Sequence, residues 1–341
     1  MSRRTKALAA ATVLLAAAPA LAYVRSTDDG TGACFYWGPR QVPYVINAPG
    51  AAEDGALQAS CGAGAAVAAV RAGFEEWSAQ TCTDLALVET VAGSASTQVG
   101  YLRSGANENL VVFRRGWCRD AAPDGSGDPC LTASGAGACD TVHNCFDDRL
   151  LSRSTIALTT VTYSPSSGQI FDADMELNAW DGASGTFATT NPSDGWYFSC
   201  LAPLARTLCG IYGQDDCNAM DLQNTVTHEA GHFIGLAHPC EVGQAGNDCT
   251  SADAPTTMYP RANLGEYSKR DLDADDRQAV CDVYPAGAAT LRCTSSSDGD
   301  GSGCGCGTAT PTGALATLLG LAALAPRLRR LRRRQDTTTP A

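Results

Sequence analysis

The sequence predicts an α+β fold: a mixed, twisted sheet, three main helices, and long loops stapled by disulfides. Three observations lead there. Short runs rich in β-branched and aromatic residues fill much of residues 40–178, with one helical pattern among them. Two more helical patterns follow residue 220. Fourteen of the 16 cysteines, an even number, lie between Cys34 and Cys293, which in an exported chain reads as up to seven disulfides. No C-x-x-C pair occurs, which counts against cysteine-bound metal.

The elements follow in order. Arg3, Arg4 and Lys6 precede an apolar run and Ala20-Leu21-Ala22, the pattern of a secretory signal peptide (1–22) cleaved after Ala22, with an uncleaved anchor as the alternative. One large domain, 23–294, is expected next. RQVPYVINA (40–48) reads as a first strand. Residues 65–80 carry Val67, Val70, Phe74 and Trp77 at helical spacing. DLALVETV (84–91) and NLVVF (109–113) read as strands. Residues 114–150, with four cysteines, form a stapled loop excursion. STIALTTVTY (154–163), a turn at SPSSGQ, and IFDADMELN (170–178) make a hairpin. A second cysteine-containing excursion, 181–218, precedes a helix that starts at Asp221 and stops at Gly235, and the last helix spans 272–285.

The C-terminus has three parts. Residues 295–312 are a flexible linker containing Cys304-Gly305-Cys306; from 313 on come a short apolar segment and a tail with six arginines. This pattern resembles the MYXO-CTERM type of sorting signal, which implies processing machinery and display at, or release from, the cell surface. A marginal membrane anchor is the plainer alternative. Three basic residues lie in 1–22, and six basic and one acidic residue from Cys304 on; the 24 basic and 36 acidic residues therefore leave 15 and 35 in between, a net charge of −20. So acidic a surface argues against a nucleic-acid partner. Any membrane contact is expected only through the tail.

THEAGHFIGLAHP (227–239) holds three of the four histidines. His228 and His232 lie one helical turn apart on one face, so both imidazoles can point at one centre. Gly235 lets the chain turn back and deliver His238. Three protein ligands leave a fourth position open, the mark of catalytic rather than structural zinc. Glu229 cannot ligate in the same geometry but can reach a water held on the metal, as a general base does. His143 lacks such company and reads as a solvated loop residue.

HEAGHFIGLAH is the extended signature of the metzincin metalloproteases, and Met258-Tyr259-Pro260 resembles the Met-turn of matrixins. The resemblance covers about residues 40–285. It implies a metzincin-like catalytic domain with zinc in a cleft, and a peptide substrate lying along the strand at Ile156, Ala157 and Leu158, with Tyr259 and Pro260 walling the pocket beyond the scissile bond. Asp275 and Asp276 match acids that brace the Met-turn in that family. Asp172, Asp174 and Glu176 alternate along a strand and face one way; matrixins carry calcium near this strand, so Ca2+ is a candidate there, the alternative being an acidic solvent face. Asp120, Asp124 and Asp128 are a weaker candidate. Pro260 stands where astacins and serralysins place a metal-binding tyrosine, Pro239 follows the third histidine as in serralysins, and no cysteine switch is present. Cys34 is expected in a disulfide. The expected activity is that of an exported zinc endopeptidase acting on proteins or peptides. The alternative is a non-cleaving surface adhesion or binding module on a protease scaffold.

Overall fold

A computed structural model describes residues 23–47, 61, 64–90, 93–179, 195–196, 198–200 and 219–293. The expected signal peptide, linker and tail lie outside these residues, as does most of the second excursion. Ten strands are described: β1 Val24–Arg25, β2 Tyr36–Trp37, β3 Gln41–Ile46, β4 Ala86–Glu89, β5 Leu110–Arg115, β6 Ala157–Tyr163, β7 Gln169–Ala179, β8 Phe198–Ser199, β9 Met220–Asp221 and β10 Leu236–Ala237. Five α-helices accompany them: α1 Ala65–Ser78, α2 Cys118–Ala121, α3 Cys139–His143, α4 Leu222–Phe233 and α5 Ala274–Val283. The three long helices fall where hydrophobic spacing puts them. Among the described residues no helix is long and apolar enough to cross a membrane.

The sheet runs β2-β7-β5-β3-β4, with every pair along that path parallel, and β6 pairs antiparallel with β7. It is therefore more parallel than the expected mixed sheet. The chain returns to the same end of the sheet between these strands, through α1 between β3 and β4 and through the long excursion after β5, and parallel neighbours need such crossovers. Within this sheet β6 and β7 are the neighbours joined by a short turn, and they run antiparallel. The run at 40–48 forms β3, which two short strands precede.

One face of the sheet packs on α1, α4 and α5. Ala173, Met175 and Leu177 of β7 meet Phe74, Trp77, Val226, Ala230, Ala279, Val280 and Val283 in one core. Gly73 lets α1 approach α4 closely: a Cβ there would lie 2.9 Å from the Thr227 nitrogen. The other face is covered too, and this corrects the acidic solvent face considered above. Asp172, Asp174 and Glu176 are 2%, 1% and 7% exposed. Asp174 accepts the N–H groups of Gly100 (2.5 Å) and Leu110 (2.9 Å). Glu176 pairs with the buried Arg114, which also donates to the carbonyls of Thr97 and Asp140.

Six disulfides are described, and Cys240–Cys249 is among them. Cys34–Cys293 and Cys82–Cys281 close loops of 259 and 199 residues and tie the β-rich half to the end of α5. Cys61–Cys200 closes a third long loop. Cys118–Cys145 and Cys130–Cys139 staple the first excursion, whose Trp117 and Phe146 then pack on Leu158 of β6.

Candidate metal-binding and catalytic site

Helix α4 is fixed at both ends. Its N-terminus is capped by Asp221, whose carboxylate accepts the N–H of Asn224 (2.8 Å) and is held by Arg270 (2.7 Å). Leu222, Val226, Ala230 and Phe233 point into the core. At the far end, carbonyls without helical partners are met by side chains: Phe233 O by the Trp37 indole (2.8 Å) and Ile234 O by the Tyr284 hydroxyl (2.7 Å). The chain then turns at Gly235, φ +93°, where a Cβ would lie 2.7 Å from the Phe35 carbonyl oxygen. Only glycine fits both demands. β10 follows, pairs antiparallel with β1, and brings His238 back over the helix.

The three imidazoles converge. His238 Nε2 lies 3.2 Å from His228 Nε2 and 3.1 Å from His232 Nε2. Each opposite ring nitrogen faces an oxygen: His228 Nδ1 the Thr257 carbonyl (2.6 Å), His232 Nδ1 the Leu236 carbonyl (2.9 Å), His238 Nδ1 the Glu241 carboxylate (2.9 Å). Carbonyls and carboxylates can only accept, so the Nδ1 atoms carry the protons. Three Nε2 lone pairs are thereby aimed at one another, an arrangement that a bound metal cation would satisfy. Tetrahedral zinc with bonds of ~2.0–2.1 Å separates its ligands by about 3.3–3.4 Å, close to what is found here. Burial and the neighbouring imidazoles push His228 well below the usual histidine range and His232 down to about 3, so both stay neutral, as ligands must.

Glu229 is 6% exposed. Burial raises its carboxyl to about 7, and the hydrogen bond from Thr159 offsets part of the rise. The Thr159 hydroxyl lies 2.7 Å from Oε2. Met258 is buried beneath α4, so close that a Cβ on Gly231 would stand 2.1 Å from its sulfur. Asp276 accepts the N–H groups of Thr257 (2.6 Å) and Met258 (3.3 Å), while Asp275 accepts that of Tyr23 (3.0 Å). One acid of the pair thus holds the Met258 turn and the other holds Tyr23, just before β1.

Of the remaining candidate residues, Ile156, Ala157 and Leu158 lie at and before the start of β6, which pairs with no second strand among the described residues. The Leu158 side chain is occupied by Trp117 and Phe146. Tyr259 and Pro260 are half-buried, just past Met258. Asp120, Asp124 and Asp128 each have a basic neighbour, in Arg153, Arg149 and His143 respectively. His143 is thus paired. Cys130, near His143 and Asp128, is bonded to Cys139 and offers no thiolate. Sequence reasoning missed Thr159, Glu241 and Lys269. Glu241 could be suspected three residues beyond a ligand. Thr159 and Lys269 leave no local signal. Lys269 is 2% exposed and its ammonium donates to the carbonyls of Tyr259 and Arg261, pinning the segment beyond Met258.

No protein-family model matches the chain. It is 37% identical over 68 residues to a protein of Sordaria macrospora named extracellular metalloprotease. That stretch is 20% of this chain and 22% of the relative, so the likeness is partial.

Proposed function

We propose that the chain is an exported zinc-dependent endopeptidase of matrixin-like metzincin type. The observation that carries this is the convergence of three histidine Nε2 atoms beside a buried glutamate, in a chain that partly resembles an extracellular metalloprotease. His228, His232 and His238 hold the metal. Zinc, when bound, polarises the scissile carbonyl and acidifies the attacking water. Glu229 takes the water's proton and hands it to the departing amine. The substrate lies extended along β6 near residues 156–158, and the segment Met258–Pro260 walls the pocket beyond the scissile bond. A second cation, Ca2+, is proposed at Asp172 and Asp174, without Glu176, whose charge is already matched by Arg114. Sorting through the C-terminal tail belongs to the same proposal.

The packing of the first excursion against β6 favours a second reading, in which the cleft serves one partner or binds without cleaving. Casein separates the two. Residues 23–303 with disulfides formed should bind one zinc and cleave casein. A zinc chelator should abolish cleavage, and so should Glu229→Ala with its zinc retained. Zinc bound at one per chain without cleavage would favour the binding module. A folded chain that binds no zinc would sink the protease reading.

A further inference from the structure

The geometry points to Thr159 as a positioning residue that fixes the Glu229 carboxylate, a role that rests on the reading of Glu229 as the general base. Thr159 is 7% exposed and sits in the middle of β6, opposite Met175 of β7. Side chains alternate along a strand, so Thr159 shares a face with Val161, which lies in the main core, while Leu158 packs on Trp117 and Phe146 of the excursion. On a core face an apolar residue is the default, because a buried hydroxyl without a partner is costly. Here the hydroxyl has a partner. Its oxygen is 2.7 Å from Glu229 Oε2 and 3.2 Å from the Glu229 carbonyl oxygen. A hydroxyl has one proton, and the closer, charged acceptor takes it.

The consequence is a carboxylate with two unlike oxygens. Oε2 is held by Thr159. Oε1 is left as the oxygen that receives a proton. When water adds to the scissile carbonyl, its proton passes to Oε1 as the new C–O bond forms. It must leave from the same oxygen, to the amine nitrogen, as the C–N bond breaks. A carboxyl free to rotate would carry that proton away between the two steps; Thr159 prevents the rotation. The strand is itself held from both faces, by the core and by the stapled excursion, so the hydroxyl cannot drift from the helix. The excursion then has a role that neither its length nor its composition suggests: it presses Leu158 down and thereby seats Thr159.

The test compares Thr159→Val, which keeps the shape and removes the hydroxyl, with Thr159→Ser, which keeps the hydroxyl. Each is assayed for zinc per chain and for kcat and KM on a casein-derived fluorogenic peptide, and Thr159→Val is crystallised with and without zinc. The expected result for valine is unchanged zinc, KM within about twofold, and kcat lower by about ten- to a hundredfold, the range for a lost hydrogen bond to a charged group. Serine should restore kcat to within about threefold of wild type. In the valine crystals, with zinc or without, the Glu229 carboxylate should take more than one orientation. Wild-type kcat in the valine variant, or a single unchanged carboxylate orientation, overturns the inference and leaves the protease reading standing. Wild type that binds zinc and cleaves nothing overturns the protease reading, and the carboxylate orientation then still decides whether Thr159 positions Glu229. Should the valine variant not fold, Thr159→Ser against Thr159→Ala gives the same comparison.

Discussion

Gly231 lies between two metal-site histidines in sequence, and its missing side chain matters more than its helix propensity. Glycine inside a helix costs about 1 kcal/mol relative to alanine. That would favour Gly231→Ala if nothing stood nearby. Here the added Cβ would lie 2.1 Å from Met258 Sδ and 2.9 Å from Trp77 Cζ2, both on buried side chains, so something in the core must shift. Overpacking of this kind costs about 1–3 kcal/mol. The clash should win. Gly231→Ala is expected to lower the urea midpoint and to weaken zinc binding, since Met258 would be pushed along with Thr257, whose carbonyl orients His228. An unchanged midpoint would mean that Met258 is not packed where the structure puts it.

Among the elements, α5 matters to a site it does not enter. Its first turn presents Asp276, 1% exposed, to the N–H groups of Thr257 and Met258. Burial raises the Asp276 carboxyl, and the hydrogen bonds from Thr257 and Met258 offset only part of that rise. The chain of contacts therefore runs from α5 to Thr257, then to His228 Nδ1, and so to the histidine cluster. Asp276→Ala should leave two buried N–H groups without partners, at a cost of about 1–3 kcal/mol each. Partners of metal ligands are typically worth ten- to a hundredfold in affinity. Competition with a chromophoric chelator should show zinc affinity lowered by about that factor. If affinity held while stability fell, Asp276 would be a brace for the turn and nothing more. The α5 helix itself was legible in the sequence through Leu272, Ala279, Val280 and Val283, all of them buried. Its task was legible only through the family resemblance, because Asp276 and Thr257 are 19 residues apart and share no periodic pattern.

Across the whole molecule, the sheet is covered on both faces, and this gives the acids of β7 a chemistry that strand alternation alone does not imply. Burial raises Asp172 to about 6, and Asp174 goes well above the usual carboxylate range through burial and the neighbouring Asp172 charge. The groups facing the pair are Glu176 with Arg114 and the N–H groups of Gly100 and Leu110. A carboxyl with a raised folded-state pKa favours the folded chain only while it stays protonated. Stability should therefore fall as pH rises from about 4, with the Asp172 part of the loss centred below about 6 and the Asp174 part continuing the fall above it. Asp172→Asn should remove most of this loss. Its melting temperature should exceed that of wild type at pH 7.5 without calcium and match it near pH 4. If Ca2+ occupies the site, millimolar calcium should raise the wild-type melting temperature at pH 7.5 and leave that of Asp172→Asn unchanged. A wild-type profile flat between pH 4 and 7 would show that the pair is not buried as charged groups.

The sequence by itself determined the local features: α1, α4 and α5, the β6–β7 hairpin, and three histidines spaced to meet. Each rests on residues close along the chain, where helical and strand periodicity or a short loop fixes who can face whom. Tertiary structure alone decided that the sheet is mostly parallel, that the acidic face of β7 is buried, and that Thr159 reaches Glu229 across 70 residues. Those outcomes depend on which distant strands pair and on what the stapled excursion covers. The energy that selects them comes from contacts with no sequence period, so nothing in the order of residues announces them.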